Sequence, residues 1–70
     1  SNYNFYEIEN LFFFPSKRWD IEMASGVLIK LPKERLKESL SLSFEILNDK
    51  NFENIKVIDV RQEKQIVINE

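Results

Sequence analysis

The spacing of apolar positions switches along the chain between the two-residue period of a strand and the three-to-four-residue period of a helix. Residues 3 to 14 mix aromatic side chains with Glu and Asn and do not alternate steadily. They read as a poorly defined lead-in, residues 1 to 10, to an apolar strand through Leu11, Phe12, Phe13 and Phe14, which Pro15-Ser16 closes. From Lys17 to Met23 the alternation is regular, with Trp19, Ile21 and Met23 on one face and Arg18, Asp20 and Glu22 on the other. Ala24-Ser25-Gly26 carries the only glycine of the chain and suits a turn that needs positive φ. Val27 to Leu31 then resumes a β-prone run, so the two segments predict a hairpin. Pro32 follows, a residue that cannot donate to a sheet ladder but fits the first turn of a helix.

From Lys33 the period lengthens. Leu36, Leu40, Phe44 and Leu47 form one stripe, widened by Leu42 and Ile46, which predicts a helix packed on a sheet and ending near Asn48 in the polar stop Asn48-Asp49-Lys50-Asn51. Ile55 to Arg61 and Gln65 to Asn69 are β-prone and separated by Gln62-Glu63-Lys64, so a second hairpin closes the sequence. The order predicts an α+β fold: a small antiparallel or mixed sheet of four to five strands with one helix on a face.

At 70 residues the chain has room for one core, so residues 1 to 70 are read as a single unit. With 43% hydrophobic residues it is too apolar for a disordered segment. There is no Cys and therefore no disulfide or thiolate site, and no His, the commonest general base and metal ligand. Ten basic and twelve acidic residues leave a net charge of -2, which gives no field for a polyanion. The longest apolar run, Leu11 to Phe14, is far short of the roughly 20 residues that span a bilayer.

Catalysis finds little footing. Ser39, Ser41 and Ser43 fall at spacing two on the helix and read as surface serines, with no base implied beside them. Asp20 and Glu22 share a strand face and read as solvated charges rather than a glycosidase pair. A single glycine excludes a phosphate-cradling loop, and no cofactor or metal is implied. Lys17-Arg18-Trp19 beside Phe12, Phe13 and Phe14 reads alternatively as a stacking platform for single-stranded nucleic acid, in a small soluble adaptor. Packing within a hairpin is the simpler reading, given the acidic balance. Arg18 is expected to pair with a carboxylate, one on a neighbouring strand being a candidate. The segment with the clearest functional character is Gln65, Ile66, Val67, Ile68 and Asn69. It is short and β-prone, a natural sheet edge whose backbone groups can accept a partner's strand.

Four features stand in order: Arg18-Trp19-Asp20-Ile21 leading to Gly26; Ile29-Lys30-Leu31-Pro32; a leucine-patterned helix; and Ile58-Asp59-Val60-Arg61 before a last hydrophobic strand. Over residues 11 to 69 this succession resembles the last part of the β domain of the bacterial division protein family FtsQ, called DivIB in other bacteria. The resemblance implies a non-catalytic scaffold of the divisome, needed for septum assembly. It further implies a single-pass inner-membrane protein whose anchor and POTRA domain lie outside these residues, with this part periplasmic at the division septum. The implied partners are FtsB- and FtsL-type proteins, an FtsB-type segment adding as a strand to Gln65 through Asn69, backed by the strand holding Ile58 and Val60. Arg18, Trp19, Gly26, Pro32, Asp59 and Arg61 are implied to hold the fold, with Asp59 and Arg18 a candidate pair among them. The chain departs from that pattern in stopping at Glu70, close after the receiving strand, and Phe5 and Tyr6 have no counterpart in it. Exposed edges of such a piece are expected to self-associate.

Overall fold

A computed structural model describes residues 7 to 69; the aromatic lead-in around Phe5 and Tyr6 lies outside the described residues. The elements are β1 (Ile8–Phe13), β2 (Trp19–Met23), β3 (Leu28–Lys30), α1 (Leu36–Asn48), β4 (Val57–Asp59) and β5 (Val67–Ile68). They build one five-stranded sheet in the order β1-β2-β3-β4-β5, so the chain never skips a neighbour. The fold is α+β, and the sheet is mixed: only β3 and β4, joined through α1, run parallel. A parallel pair needs a crossover connection, which the helix supplies.

Both amino-terminal hairpins close on three-residue loops. Phe14 N–H donates to the Arg18 carbonyl (2.9 Å) across Pro15-Ser16-Lys17, and Met23 N–H donates to the Val27 carbonyl (2.8 Å) across Ala24-Ser25-Gly26. In each the last loop residue has positive φ, 71° at Lys17 and 98° at Gly26, as a turn followed by a left-handed residue requires. The β2–β3 hairpin is the one the glycine predicts.

Paired residues point to the same side of a sheet, so the register sorts the side chains. Leu11, Ile21, Ile29 and Ile58 line up on the helix side, and Phe12, Asp20, Lys30, Asp59 and Val67 on the open side. The core lies on the helix side, where Ile21, Met23, Val27, Ile29, Leu31, Ile58 and Val60 meet Ile46 of α1. Ile29 and Ile58, adjacent on the parallel pair, are both 0% exposed.

Three sequence readings change here. The helix begins at Leu36, not in the turn after Pro32; Pro32 is buried shortly after β3, and Arg35 caps the helix in the left-handed conformation, φ 60°, without a side-chain cap. The predicted stripe is rotated by about one residue, since Ser39, Ser43 and Ile46 face inward while Leu36 and Leu42 are exposed. Ser39 and Ser43 are thus interior residues and not surface serines. Both are small side chains on the face that α1 turns to the sheet, and the Ser43 hydroxyl is satisfied by donating to the Ser39 carbonyl (2.8 Å). The helix ends at Asn48, as the polar stop predicts, with Asp49 extended after it, and the asparagines in the left-handed conformation are Asn54 and Asn69. No helix among the described residues is long and apolar enough to cross a membrane.

Candidate protein-binding edges

β5 is an end strand of the sheet, paired on one side only, with β4. The ladder decides which of its backbone groups are free. Asn69 N–H donates to the Val57 carbonyl (2.8 Å), and antiparallel ladders alternate between bonded and non-bonded pairs. Asp59 and Val67 are therefore the next bonded pair, and Ile68 between them turns its N–H and carbonyl away from β4. Ile68 packs its side chain on the core, while Gln65 and Ile66 precede the strand and are exposed.

The receiving segment read from sequence as Gln65 to Asn69 is accordingly shorter in the fold, since only Val67 and Ile68 are ladder residues. Asn69 has a different job. At φ 65° it ends the extended run, and its side-chain oxygen accepts the N–H groups of Lys56 (2.6 Å) and Val57 (3.1 Å) while its amide donates to the Asn54 carbonyl (3.2 Å). Asn69 clamps the entry to β4. Its polar side chain is occupied within the chain.

The residues expected to hold the fold are placed plainly. Arg18 does not reach Asp59. Its Nη1 donates to Asp20 Oδ1 (2.9 Å) and to the Leu31 carbonyl (3.0 Å), tying the start of β2 to the end of β3, and its guanidinium lies 5.2 Å from the Phe14 ring centre. That cover leaves Asp20 buried, so it is not the solvated strand charge that alternation suggests. Asp59 pairs instead with Arg61, two residues along, through Arg61 Nε and Nη2, and also accepts the Arg61 backbone N–H (3.0 Å). A local partner wins because a fork reaching along its own chain closes a much smaller loop than one crossing the sheet.

Hydrogen bonding from the Arg61 side chain is the main reason the Asp59 carboxyl sits below its ordinary 3.8; the nearby Lys30 charge adds to it. A depressed carboxylate stabilises the fold above its unfolded value, and that contribution is lost as pH falls through the lower folded value. Asp59→Asn is expected to flatten the acid limb below about pH 4, by less than about 1 kcal/mol because Arg61 is 44% exposed. Urea midpoints of both proteins between roughly pH 6 and pH 2 check this.

Beside this end of the sheet is an open cleft of 410 Å³ whose walls carry Arg18, Lys33, Arg35 and Arg61, with Glu34 among them. Arg18 and Arg61 spend their charge on Asp20 and Asp59. Among the described residues no three His, Cys, Asp or Glu side chains are grouped to hold a metal ion.

The opposite edge is β1, the apolar strand expected through Leu11 to Phe14, which starts three residues earlier, at Ile8, within the segment read as lead-in. All six of its residues are exposed, including Ile8, Leu11, Phe12 and Phe13. Pairing with Trp19 and Ile21 puts Phe13 and Leu11 on the helix side, whereas Phe12, opposite Asp20, points to the open side. The three phenylalanines therefore present no common surface; Phe13 rests against Trp19 with ring centres 4.7 Å apart, and Phe14 lies under Arg18. Between β1 and the start of α1 runs an apolar groove of 200 Å³ lined by Leu11, Trp19, Ile21, Leu31, Leu36 and Leu40. The sequence signal for this edge is the unbroken Leu11-Phe12-Phe13-Phe14 run, apolar on both faces of a strand with a neighbour on one side only. Set against family models, characterised proteins and solved structures, the chain gives no match.

Proposed function

We propose that this chain is a non-catalytic interaction module that receives an extended segment of a partner protein along β5. The observation that carries the reading is the outward N–H and carbonyl of Ile68 on an end strand, beside the exposed Ile66. A strand laid there would extend the sheet, its main-chain bonds supplying affinity and its alternate side chains selectivity. On the ordered motifs that resemble the FtsQ family, the partner is a segment of an FtsB-type division protein, itself paired with an FtsL-type protein, and the module acts as a scaffold at the septum of the inner membrane.

The test follows from the register. Proline at Val67 would break the internal ladder, because the Val67 N–H faces Asp59; proline at Ile68 removes the outward donor and leaves the β4 bonds in place. Titration with a peptide from the membrane-proximal periplasmic part of an FtsB-type protein is expected to give saturable amide shifts at Gln65 to Asn69 and along β4. Ile68→Pro should weaken binding by about tenfold or more, with Ile68→Val, which keeps the donor, binding as the unaltered chain does. Unchanged affinity in a folded Ile68→Pro variant would overturn strand addition at β5. Titration with oligonucleotides at low salt, followed by Trp19 fluorescence, tests the nucleic-acid alternative.

A further inference from the structure

We propose that β1 is a homotypic interface: two copies of this chain pair their β1 strands antiparallel about a two-fold axis through Phe12, joining two five-stranded sheets into one. The proposal uses the sheet edge opposite β5 and stands whether or not a partner adds there.

The backbone sets the register. Phe14 N–H bonds the Arg18 carbonyl, so along β1 the bonded pairs with β2 are Phe14 with Arg18, Phe12 with Asp20 and Asn10 with Glu22. Leu11 and Phe13 lie between them and point their N–H and carbonyl groups away from β2. An antiparallel neighbour must therefore bond at Leu11 and Phe13. Pairing Leu11 with Phe13 of the second copy, and the reverse, satisfies both at once and makes Phe12 the central non-bonded pair, where side chains approach most closely. On the helix side, Leu11 and Phe13 of one copy meet Phe13 and Leu11 of the other. On the open side the two Phe12 rings face each other, a favourable cross-strand pair.

Charge selects both the second copy and the antiparallel sense. Glu7 and Glu9 lie at the start of β1, and Lys17 lies in the turn that ends it, whereas the neighbouring Arg18 is paired with Asp20. A two-fold axis through Phe12 sets the acidic start of each strand against the basic turn of the other; parallel pairing would set like against like. The register irregularity between Ile8 and Asn10 limits the ladder to the apolar segment. Leu11, Phe12 and Phe13, now 43 to 56% exposed, would be covered in both copies. That amounts to roughly several hundred Å², the low end of specific interfaces, so the dimer should dissociate in the range of about 10 to 100 µM.

Sedimentation velocity on the 70-residue chain tests this. The unaltered chain is expected to pass from monomer to dimer between about 1 µM and 1 mM. Phe12→Lys places two ammonium groups in direct opposition, and Phe12→Glu two carboxylates; each alone should weaken the dimer by about tenfold or more, and an equimolar mixture of the two should restore it as a heterodimer. Leu11→Pro, which deletes an outward donor and no internal bond, should be monomeric with the near-ultraviolet circular dichroism of Trp19 intact, and serves if the carboxylate introduced by Phe12→Glu disturbs the fold beside Asp20. A monomer at about 1 mM, a dimer that survives Phe12→Lys or Leu11→Pro in folded protein, or a mixture of folded Phe12 variants that stays monomeric would overturn the proposal.

Discussion

Ile29→Ala is expected to remove most of the chain's stability at room temperature. Ile29 sits in the middle of the central strand, fully buried, with Ile21 beside it on β2 and Ile58 on β4. Its side chain therefore touches both halves of the sheet, and truncation opens a cavity in the one place where relaxation would have to move three strands at once. Such losses cost about 2 to 5 kcal/mol. A domain of this size without disulfide or metal has a total of only about 3 to 5 kcal/mol. Ile29→Val keeps most of the contacts and should cost about 0.5 to 1.5 kcal/mol, leaving a folded protein. Urea unfolding followed by Trp19 fluorescence and far-ultraviolet circular dichroism reads both variants. A loss under about 1 kcal/mol for Ile29→Ala would mean that the core is not centred on β3.

The residues that make the fold legible and those that hide part of it differ in how local their signals are. β2 is plain because Trp19, Ile21 and Met23 alternate against Arg18, Asp20 and Glu22, and one face of that strand is buried. The β2–β3 hairpin is plain because Gly26 stands where φ is 98°. The β1–β2 hairpin uses the same loop length but puts Lys17 in the equivalent position, and a lysine carries no mark of a left-handed residue. So the strand through Leu11 to Phe14 is legible, but its start at Ile8 and its hairpin with β2 are not. Helix phase is legible to within one residue, because leucines mark the stripe; the inward turn of Ser39 and Ser43 is not, since burial of a small polar residue depends on how near the sheet comes and on the Ser39 carbonyl that satisfies the hydroxyl. Arg18 and Asp59 stand out in the sequence as charges with partners, but not whose, because pairing depends on tertiary placement and a local fork is available to each. At the carboxyl end, sequence marks Gln65 to Asn69 as one β-prone piece. Its division into two ladder residues and the clamp made by Asn69 follows from a positive φ that asparagine tolerates and from hydrogen bonds reaching back to Lys56 and Val57.

Ser43→Leu is expected to destabilise the chain by about 1 to 3 kcal/mol, second in size to the loss at Ile29. The position is 0% exposed and lies between Ser39 and Ile46 on the inward face of α1. Leucine is a better helix former than serine and far more apolar, so propensity and hydrophobicity both predict a gain. Space predicts the opposite. A much larger side chain can enter a filled layer only if α1 lifts or rotates, which would pull Ile46 out of the cluster it shares with Ile29 and Ile58 and disturb the contact of Leu40 with the sheet. Ser43→Ala separates the two effects: it deletes a hydroxyl whose bond is made within the helix and leaves the spacing alone, so its cost should stay below about 1 kcal/mol. The order of urea midpoints is therefore expected to be the unaltered chain and Ser43→Ala close together and Ser43→Leu well below them. Leucine raising the midpoint would mean that the helix rests on the sheet with room to spare, and that the buried serines are not what sets its height.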